Sequence, residues 1–454
     1  MPTHSIRSLQ QRLFAPIDAA SLVCFRIAFG LVMAWDMYGF LSHGKVDFHF
    51  VEPVFYFKYL GFSWVEPWPQ PWIYLHFYAL GVLAICMAIG LLYRLAAALF
   101  ALGYTYMFLL DQAQYQNHYY LICLVSILLV WIPAHRSFSL DARLFPTVRS
   151  PCVPSWSLWI LRAQIGLVYF YGAVAKLNVD WLRGWPMRQW LPDSLYLPPF
   201  SGFLNSAVAA YAFSYAGLLI DLCAVPLLLW QRTRAGMLAI LLAFHLVNSQ
   251  IFSIGSFPYL GTALSLLFLS PSWPRALLRW PVPLAQPARE MTAPRPHPLV
   301  IALFMLYLGL QVLLPLRHWL YPGNPSWSEE GHRFAWHMKL RDKICHSSFL
   351  LEESATGQRW RVHPRKYLTE RQSEKMGGRP HMLVQFARFL SEVERRPNDA
   401  SIAVYAHVDC SLNGRPPFPL VDPTRDLAQA DYGLGSAEWI LPLPTSRAGT
   451  HYAP

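Results

Sequence analysis

The stretch AASLVCFRIAFGLVMAWDMYGF occupies residues 19–40, and it carries only two charged side chains, Arg26 and Asp36. A helix needs about 20 predominantly apolar residues to cross the hydrocarbon core of a bilayer. The stretch has that length and therefore predicts a membrane-spanning helix. Because charge is costly in lipid, we expect Arg26 and Asp36 to face the interior of a helix bundle.

Eight further apolar stretches follow along the chain. The nine predicted spans are residues 19–40, 72–92, 95–110, 118–133, 156–175, 207–230, 235–252, 255–270 and 299–320. The composition agrees, because 54% of the 454 residues are hydrophobic and only 14% are charged, which is too apolar for an ordinary soluble protein. The sequence thus predicts a polytopic α-helical membrane protein with about nine transmembrane helices, embedded in the lipid bilayer.

The basic residues predict the orientation of this bundle. Twelve Arg fall in the segments on one side of the predicted spans, and five Lys or Arg fall in the loops on the other. Cytoplasmic loops carry the excess of Lys and Arg, so the N-terminus is predicted to be cytoplasmic. An odd number of spans then predicts a C-terminus outside. The net charge of +11 is explained by this topology, without nucleic acid as a partner.

The composition changes after residue 320, so we predict a membrane domain over 1–320 and an extracytoplasmic domain over 321–454. Alternating runs at 334–340, 348–352 and 402–410 predict strands, and 381–395 has helical spacing. The second domain is thus predicted to be a β-rich α+β domain. Cys345 and Cys410 lie in it and could pair outside the cytoplasm. The spacing of the seven Cys predicts no metal site.

Polar side chains gather near the predicted outer ends of three spans. Asn117 and His118 lie at the end of the fourth, Lys176 ends the fifth, and His245 lies toward the end of the seventh. Each has an ordinary explanation, since Lys snorkels to headgroups and His bonds between helices. Their common depth makes a functional site an equal alternative to these explanations.

Histidines near helix ends leave a haem quinol oxidoreductase as an alternative. Four of them are His76, His118, His245 and His318. Two haem ligands must face each other across helices, in pairs at two depths, whereas these four fall near one face of the predicted bundle. The haem hypothesis is therefore the weaker one.

Four stretches carry a family resemblance, and they occur in the family's order. They are Asn117-His-Tyr-Tyr-Leu121, Tyr171-Gly-Ala-Val-Ala-Lys-Leu-Asn-Val-Asp-Trp181, His245-Leu-Val-Asn-Ser-Gln-Ile-Phe-Ser-Ile-Gly-Ser-Phe-Pro-Tyr259 and Gly331-His-Arg-Phe-Ala-Trp-His-Met-Lys339. Together with Arg162-Ala-Gln-Ile-Gly-Leu-Val-Tyr169 they resemble the vitamin K-dependent γ-glutamyl carboxylase family, over most of the chain.

The resemblance implies a specific chemistry. A Lys matching Lys176 deprotonates vitamin K hydroquinone (or a related quinol), O₂ adds, and the resulting alkoxide removes a γ-proton from Glu. The carbanion takes up CO₂, a step assisted by a His matching His118, and no metal takes part. The substrate is a Glu-containing peptide or protein. The residues expected to bind the quinol or substrate are Asn117, Tyr171, His245, Asn248 and Gln250.

Burial in the bundle is expected to favour a neutral Lys176, as a base requires. The resemblance also implies a bacterial inner membrane protein with a periplasmic active site. Two alternatives stay open. The first is quinol epoxidation without carboxylation, because the outer domain is shorter than in animal carboxylases. A non-catalytic transporter or assembly protein with the same bundle is the other.

Overall fold

The computed structural model describes residues 11–194, 201–252, 254–279, 298–395, 401–431 and 433–444. The N-terminal part is a helical bundle. Its longer helices are α1 Ala20–Ser42, α2 Trp72–Ile89, α3 Tyr93–Leu109, α4 Asn117–Trp131, α5 Trp156–Lys176, α6 Ala207–Leu229, α7 Arg234–Ile251, α8 Phe257–Leu266 and α9 Pro298–Leu313. Short helices lie at Leu140–Leu144, Val179–Leu182, Met187–Ser194, Ser201–Leu204 and Trp273–Leu278. Two short strands, β1 Pro16–Asp18 and β2 Cys152–Pro154, pair antiparallel before the first and fifth helices.

Within the described ranges, six helical segments are long and apolar enough to cross a membrane. They are Ala20–Ser42, Trp72–Ile89, Trp156–Lys176, Ala207–Leu229, Arg234–Ile251 and Ile301–Leu320. The prediction of a polytopic helical membrane protein is confirmed in this form.

The predicted count of nine spans is not confirmed. Helices α3 and α4 are apolar, but they have 17 and 15 residues, and α8 has only 10. Local breaks shorten them: α4 ends before Pro133, and α8 begins after Gly255, whose φ is +54°. A continuous apolar run therefore overstated the length of helix that the chain forms there.

Arg26 lies inside the bundle, as predicted. Its side chain is fully buried, and Nη2 donates to the carbonyl oxygen of Phe138 at 2.6 Å. Gly90 makes room for the guanidinium, because a Cβ at that position would overlap Nη1. Asp36 is half-buried. Of the two charged residues in the first span, Arg26 is thus turned away from the lipid-facing side, and Asp36 is only partly exposed.

The C-terminal domain contains a four-stranded antiparallel sheet with the order β4-β3-β5-β6. Its strands are β3 Lys343–Glu353, β4 Arg359–Val362, β5 Ile402–Leu412 and β6 Phe418–Pro419, and its helices are α10 Glu370–Gly377 and α11 Pro380–Val393. The predicted strands at 348–352 and 402–410 and the predicted helix at 381–395 are confirmed. One face of α11, with Leu383, Phe386 and Leu390, packs against Phe349 and Val404 of the sheet.

The strand predicted at 334–340 is wrong, because this segment forms turns. Phe334, Trp336 and Lys339 have φ values of +62°, +57° and +48°. Residues in the left-handed region cannot continue a strand. The alternation of apolar residues here reflects a loop whose side chains enter the core one by one, with Trp336 fully buried.

Cys345 and Cys410 form a disulfide between facing positions of β3 and β5. The sequence had left this pairing open.

The C-terminal domain is joined to the bundle at the segment that precedes α4. The buried carboxylate of Asp111 accepts hydrogen bonds from the backbone N–H of Ala113 at 2.8 Å and of Phe57 at 3.3 Å. It also accepts one from Gln372 Nε2 of α10 at 2.9 Å. A buried carboxylate with three donors holds both domains in register at the start of α4.

Candidate active site

A cavity of about 680 Å³ lies between helices α5, α6 and α7 and the segment 329–339 of the C-terminal domain. Its wall inside the bundle, here called the bundle half, is mostly apolar, with Ile165, Val168, Ile220, Ile240, Phe244, Val247 and Phe257. A cavity of this volume and lining suits a drug-sized molecule, which is bound mainly by apolar contact and oriented by a few polar groups.

Lys176 is the last residue of α5, and its ammonium group enters this cavity wall. Its Nζ lies 2.5 Å from Oδ2 of Asp221 on α6 and donates to the carbonyl oxygen of Gly172 at 3.2 Å. Both charged side chains are buried, with exposures of 7% and 4%. A Lys that only snorkels would point its amine to the headgroups, so this geometry does not fit a surface anchor.

Lys176 is not alone in the apolar wall, because the carboxylate of Asp221 lies beside its amine. The two side chains share a short hydrogen bond, along which a proton can pass between nitrogen and oxygen. Asp221 was missed in the sequence, although an acidic residue within the predicted span 207–230 is a signal of function by itself.

Gly172, one turn before Lys176, leaves the space that Asp221 occupies. A Cβ built on Gly172 would lie 2.9 Å from Asp221 Oδ2 and 3.3 Å from Met338 Cε. Glycine is therefore required here by the close approach of the carboxylate and not by backbone conformation.

Gly172→Ala is expected to push the carboxylate away from Lys176 and to lower the activity that the resemblance implies by about 10- to 100-fold, since small misplacements of a reacting group have effects of that size. The assay is that implied reaction, oxygenation of a quinol, measured with the purified variant. Gly166→Ala is the matched control on the same helix, because its Cβ would meet Val225 at an ordinary 3.6 Å. Equal rates for both variants would contradict the importance of this spacing.

Asn117 and His118 lie at the start of α4 and also line the cavity. Asn117 Nδ2 donates to the carbonyl oxygen of His337 at 3.1 Å, and its Oδ1 accepts from Tyr115 at 3.0 Å. Tyr115 in turn accepts from the backbone N–H of Phe334 at 2.9 Å. The loop 331–339 is thus tied to the start of α4, and His118, which is 7% exposed, lies next to this junction.

His245 on α7 lines the cavity from a third direction. Its Nε2 bonds the hydroxyl group of Tyr169 at 3.2 Å, and that hydroxyl contacts Ser265 Oγ at 3.3 Å. Within the described part of the chain its buried Nδ1 has no hydrogen-bond partner. Asn248, nearly one turn later, lines the same cavity.

Two residues predicted for the site lie elsewhere. The Tyr171 hydroxyl donates to the carbonyl oxygen of Val312 at 2.6 Å and so joins α5 to α9. Gln250 is exposed, and its Nε2 bonds Ser249 Oγ at 3.2 Å. The cavity therefore brings together Lys176, His118, Asn117, His245 and Asn248, but neither Tyr171 nor Gln250.

The wall contributed by the C-terminal domain, here called the domain half, is strongly basic. It contains Arg333, Lys339, Arg371, Lys375 and Arg379, with His332, His337 and Glu329. Sequence reasoning assigned no role to these residues. Three of them, Arg371, Lys375 and Arg379, belong to α10 and the turn after it, and the other five lie in the segment 329–339. An excess of positive charge in a partly enclosed cavity attracts anions such as carboxylates.

Several of these groups have shifted proton affinities. Burial, together with the charges of Arg379 and Arg371, lowers the pKa of Lys375 to about 8. Burial and the neighbouring His318 lower the pKa of His337 to about 3, so its ring is neutral at pH 7. Burial opposes the charged form of Glu329, but Arg341 and the other nearby cations lower its pKa below the usual range. Glu329 thus stays charged and is held by Arg341.

The four histidines of the haem hypothesis are not gathered in one place. His118 and His245 line the cavity, whereas His76 bonds the carbonyl oxygen of Gly103 at 3.1 Å and His318 that of Pro315 at 2.7 Å. In the described ranges, no group of three or more His, Cys, Asp or Glu is arranged to hold a metal ion.

Comparison with known families matches two models to this chain. The HTTM domain model covers residues 14–273. The model of the vitamin K-dependent gamma-carboxylase lumenal domain covers residues 296–446. No solved structure matches the chain. The second matched region begins at residue 296, before the change in composition after residue 320, and therefore includes α9. Residues of both matched regions line the cavity described above.

Proposed function

This chain belongs to the vitamin K-dependent carboxylase family, with an HTTM domain followed by the lumenal domain, and from that membership we propose that it couples oxygenation of vitamin K hydroquinone to carboxylation of Glu side chains. The observation that carries the proposal is the Lys176–Asp221 pair, buried in the wall of an apolar cavity. A proton acceptor in such a position is what activation of a lipid-soluble quinol requires.

The bundle half of the cavity fits the ring system of the quinol. Its volume and apolar lining suit a bicyclic head group, and Asn248 and His245 offer polar contacts at the edge. When bound, the quinol supplies the strong base, because its reaction with O₂ produces an alkoxide able to remove a γ-proton from Glu. The apolar walls exclude water, which would otherwise quench that base.

Lys176 acts as the base toward the quinol, and Asp221 acts with it. When the carboxyl group holds the shared proton, Lys176 is an uncharged amine and can accept a proton from the quinol hydroxyl group. The proton taken up then makes an ammonium ion, which stabilises the quinol anion by charge at close range. The pair therefore supplies a neutral amine without the cost of an isolated buried charge.

The domain half of the cavity fits the Glu side chain. Lys375, Arg371 and Arg379 face it with positive charge, which attracts the γ-carboxylate and stabilises the additional carboxylate of the product. His118 lines the cavity next to Asn117, which bonds the loop 331–339 of the domain half. We assign His118 to the carboxylation step, in keeping with the family resemblance.

The test measures both products of one incubation. Purified protein is supplied with reduced vitamin K, O₂, ¹⁴CO₂ and a Glu-containing peptide at high concentration, and the epoxide and the label in the peptide are followed separately. Both products are expected. Epoxide without label would support quinol epoxidation alone, and the absence of both would contradict the proposed function.

We further propose that the N-terminus is cytoplasmic and that the C-terminal domain and the cavity face the periplasm of a bacterial inner membrane. The excess of Arg on one side of the spans and the Cys345–Cys410 disulfide, a bond of oxidising compartments, support this orientation.

An alkaline phosphatase fusion after Tyr321 is expected to be active, and one after Arg279 inactive, because the enzyme folds only in an oxidising compartment. Matched fusions to a cytoplasmic reporter at the same two positions are the control and should give the opposite pattern. An inactive phosphatase after Tyr321 would put the cavity on the cytoplasmic side.

A further inference from the structure

A turn of the C-terminal domain binds the segment that follows Lys176 through hydrogen bonds and an ion pair. The turn, residues 413–415, comes directly after β5, and Arg415 makes two parallel bonds with the carboxylate of Asp180, Nη1 to Oδ2 and Nη2 to Oδ1, each of 2.7 Å. Asn413 Nδ2 donates to the same Oδ2 at 2.8 Å. Asp180 is 8% exposed and Asn413 is 3% exposed. We call this set of three side chains the latch.

The turn is built to hold this position. Asn413 has a φ of +52° and Gly414 a φ of +72°, and a Cβ on Gly414 would come within 3.0 Å of the Trp185 ring. Asn413 also bonds Asp342 twice through its backbone N–H and its Oδ1, each at 2.8 Å. A rigid turn that brings a forked guanidinium to a carboxylate gives a stronger and more directional contact than an ordinary surface pair.

Asp180 lies in the one-turn helix Val179–Leu182, which begins three residues after Lys176. This helix is capped by Asn178, whose Oδ1 accepts from the backbone N–H of Trp181 at 3.0 Å and whose Nδ2 donates to the carbonyl oxygen of Ala175 at 2.8 Å. A four-residue helix has little stability of its own, because nucleation costs more than one turn returns. The segment must therefore be held from outside, and the latch does so.

Trp181 links this segment to the base. Its ring lies 5.3 Å from Lys176 Nζ, and its Nε1 donates to the carbonyl oxygen of Ser214 at 2.8 Å. Ser214 lies on α6, the helix that carries Asp221. The same one-turn helix thus contacts the C-terminal domain through Asp180 and the Lys176–Asp221 pair through Trp181.

We propose that Asp180, Arg415 and Asn413 are positioning residues, through which the C-terminal domain holds Lys176 at its distance from Asp221 and from the bound quinol. The inference rests on the proposed function, in which Lys176 is the base. It assigns the C-terminal domain a second task beyond its basic cavity wall, because the domain then sets the geometry of the first chemical step.

The test compares Arg415→Ala, Arg415→Lys, Asp180→Asn and the double variant Asp180→Asn/Arg415→Ala. Arg359→Ala is the matched control, because Arg359 makes a 2.7 Å pair with Glu352 on the same sheet, and neither residue lines the cavity. In quinol oxygenation, kcat is expected to fall by about 10- to 100-fold in Arg415→Ala. The KM for the quinol should change little, because the apolar walls of α5, α6 and α7 remain.

Non-additive losses of kcat would show that Asp180 and Arg415 act on Lys176 through the same contact. The double variant should be no slower than the slower single variant, since either change already opens the latch. Arg415→Lys keeps the positive charge but loses the forked pair of hydrogen bonds, so its kcat should lie between those of wild type and Arg415→Ala. It also replaces Arg415→Ala in the test if that variant does not fold. Additive losses, or a lowered melting temperature with unchanged kcat, would overturn the proposal.

A second readout does not depend on activity. The rate at which an amine-reactive acylating reagent modifies Lys176 is followed by peptide mass spectrometry, with the exposed Lys366 as the internal reference. Opening the latch should raise the rate at Lys176 about tenfold or more, whereas Arg359→Ala should not. If wild type oxygenates no quinol, the proposed function fails, yet this labelling still decides on the latch: unchanged rates at Lys176 would refute it.

Discussion

Lys176→Ala is expected to abolish formation of vitamin K epoxide, with a loss of at least about 10²- to 10⁴-fold, the usual contribution of a positioned acid or base. The reason is that no other amine lies beside Asp221 in the described structure to accept the quinol proton. The measurement is epoxide formation by purified protein in detergent, at saturating quinol. Lys366→Ala removes an exposed lysine that pairs with Glu394, and it should keep full activity.

Folding must be separated from chemistry in this experiment. Lys176→Ala leaves the Asp221 carboxyl group buried without its partner, and removal of one member of a buried pair costs about 3–5 kcal/mol. The double variant Lys176→Met/Asp221→Asn removes both charges and should regain much of that stability while staying inactive. Near-wild-type epoxidation by either variant would show that Lys176 is not the base.

His118→Ala should keep epoxidation and lose incorporation of ¹⁴CO₂ into the Glu peptide by about 100-fold or more, in the range for a positioned proton-transfer group. The cause is that His118 is assigned to the step after the strong base has formed. The two products, measured in one incubation, separate this variant from Lys176→Ala in kind and not only in degree.

His407→Ala is a suitable control for that experiment, because His407 lies on the exposed face of β5 and away from the cavity lining. If His118→Ala loses both products, His118 supports Lys176 or shapes the quinol pocket, and the assignment to carboxylation is wrong. If it loses neither, His118 only lines the wall.

The membrane character of the chain followed from its composition and from runs of apolar residues. These are properties of local sequence, since a membrane-spanning segment must form all its backbone hydrogen bonds within one helix and cover that helix with apolar side chains. The strands at 348–352 and 402–410 and the helix at 381–395 were equally predictable, because each buries one face against the same core and so shows a regular period.

Prediction failed where the period was not set by secondary structure. At 334–340 the apolar residues alternate, but Phe334, Trp336 and Lys339 have positive φ, and the segment is a loop that fills the junction between the domains. At 255–270 an apolar run forms only a ten-residue helix. An apolar pattern shows which residues are buried, but it does not show whether they belong to a strand, a helix or a loop.

For the site, the sequence by itself placed Lys176, His118, Asn117, His245 and Asn248 at the ends of helices, where polar residues in an apolar chain stand out. Only the tertiary structure decided what they face. It set Asp221 at 2.5 Å from Lys176, brought the basic residues of α10 over the same cavity, and joined Arg415 to Asp180 across 235 residues of chain. Such pairs depend on how helices and domains pack, and they leave no period or spacing in the sequence, because the free energy that holds them is gained only when distant segments meet.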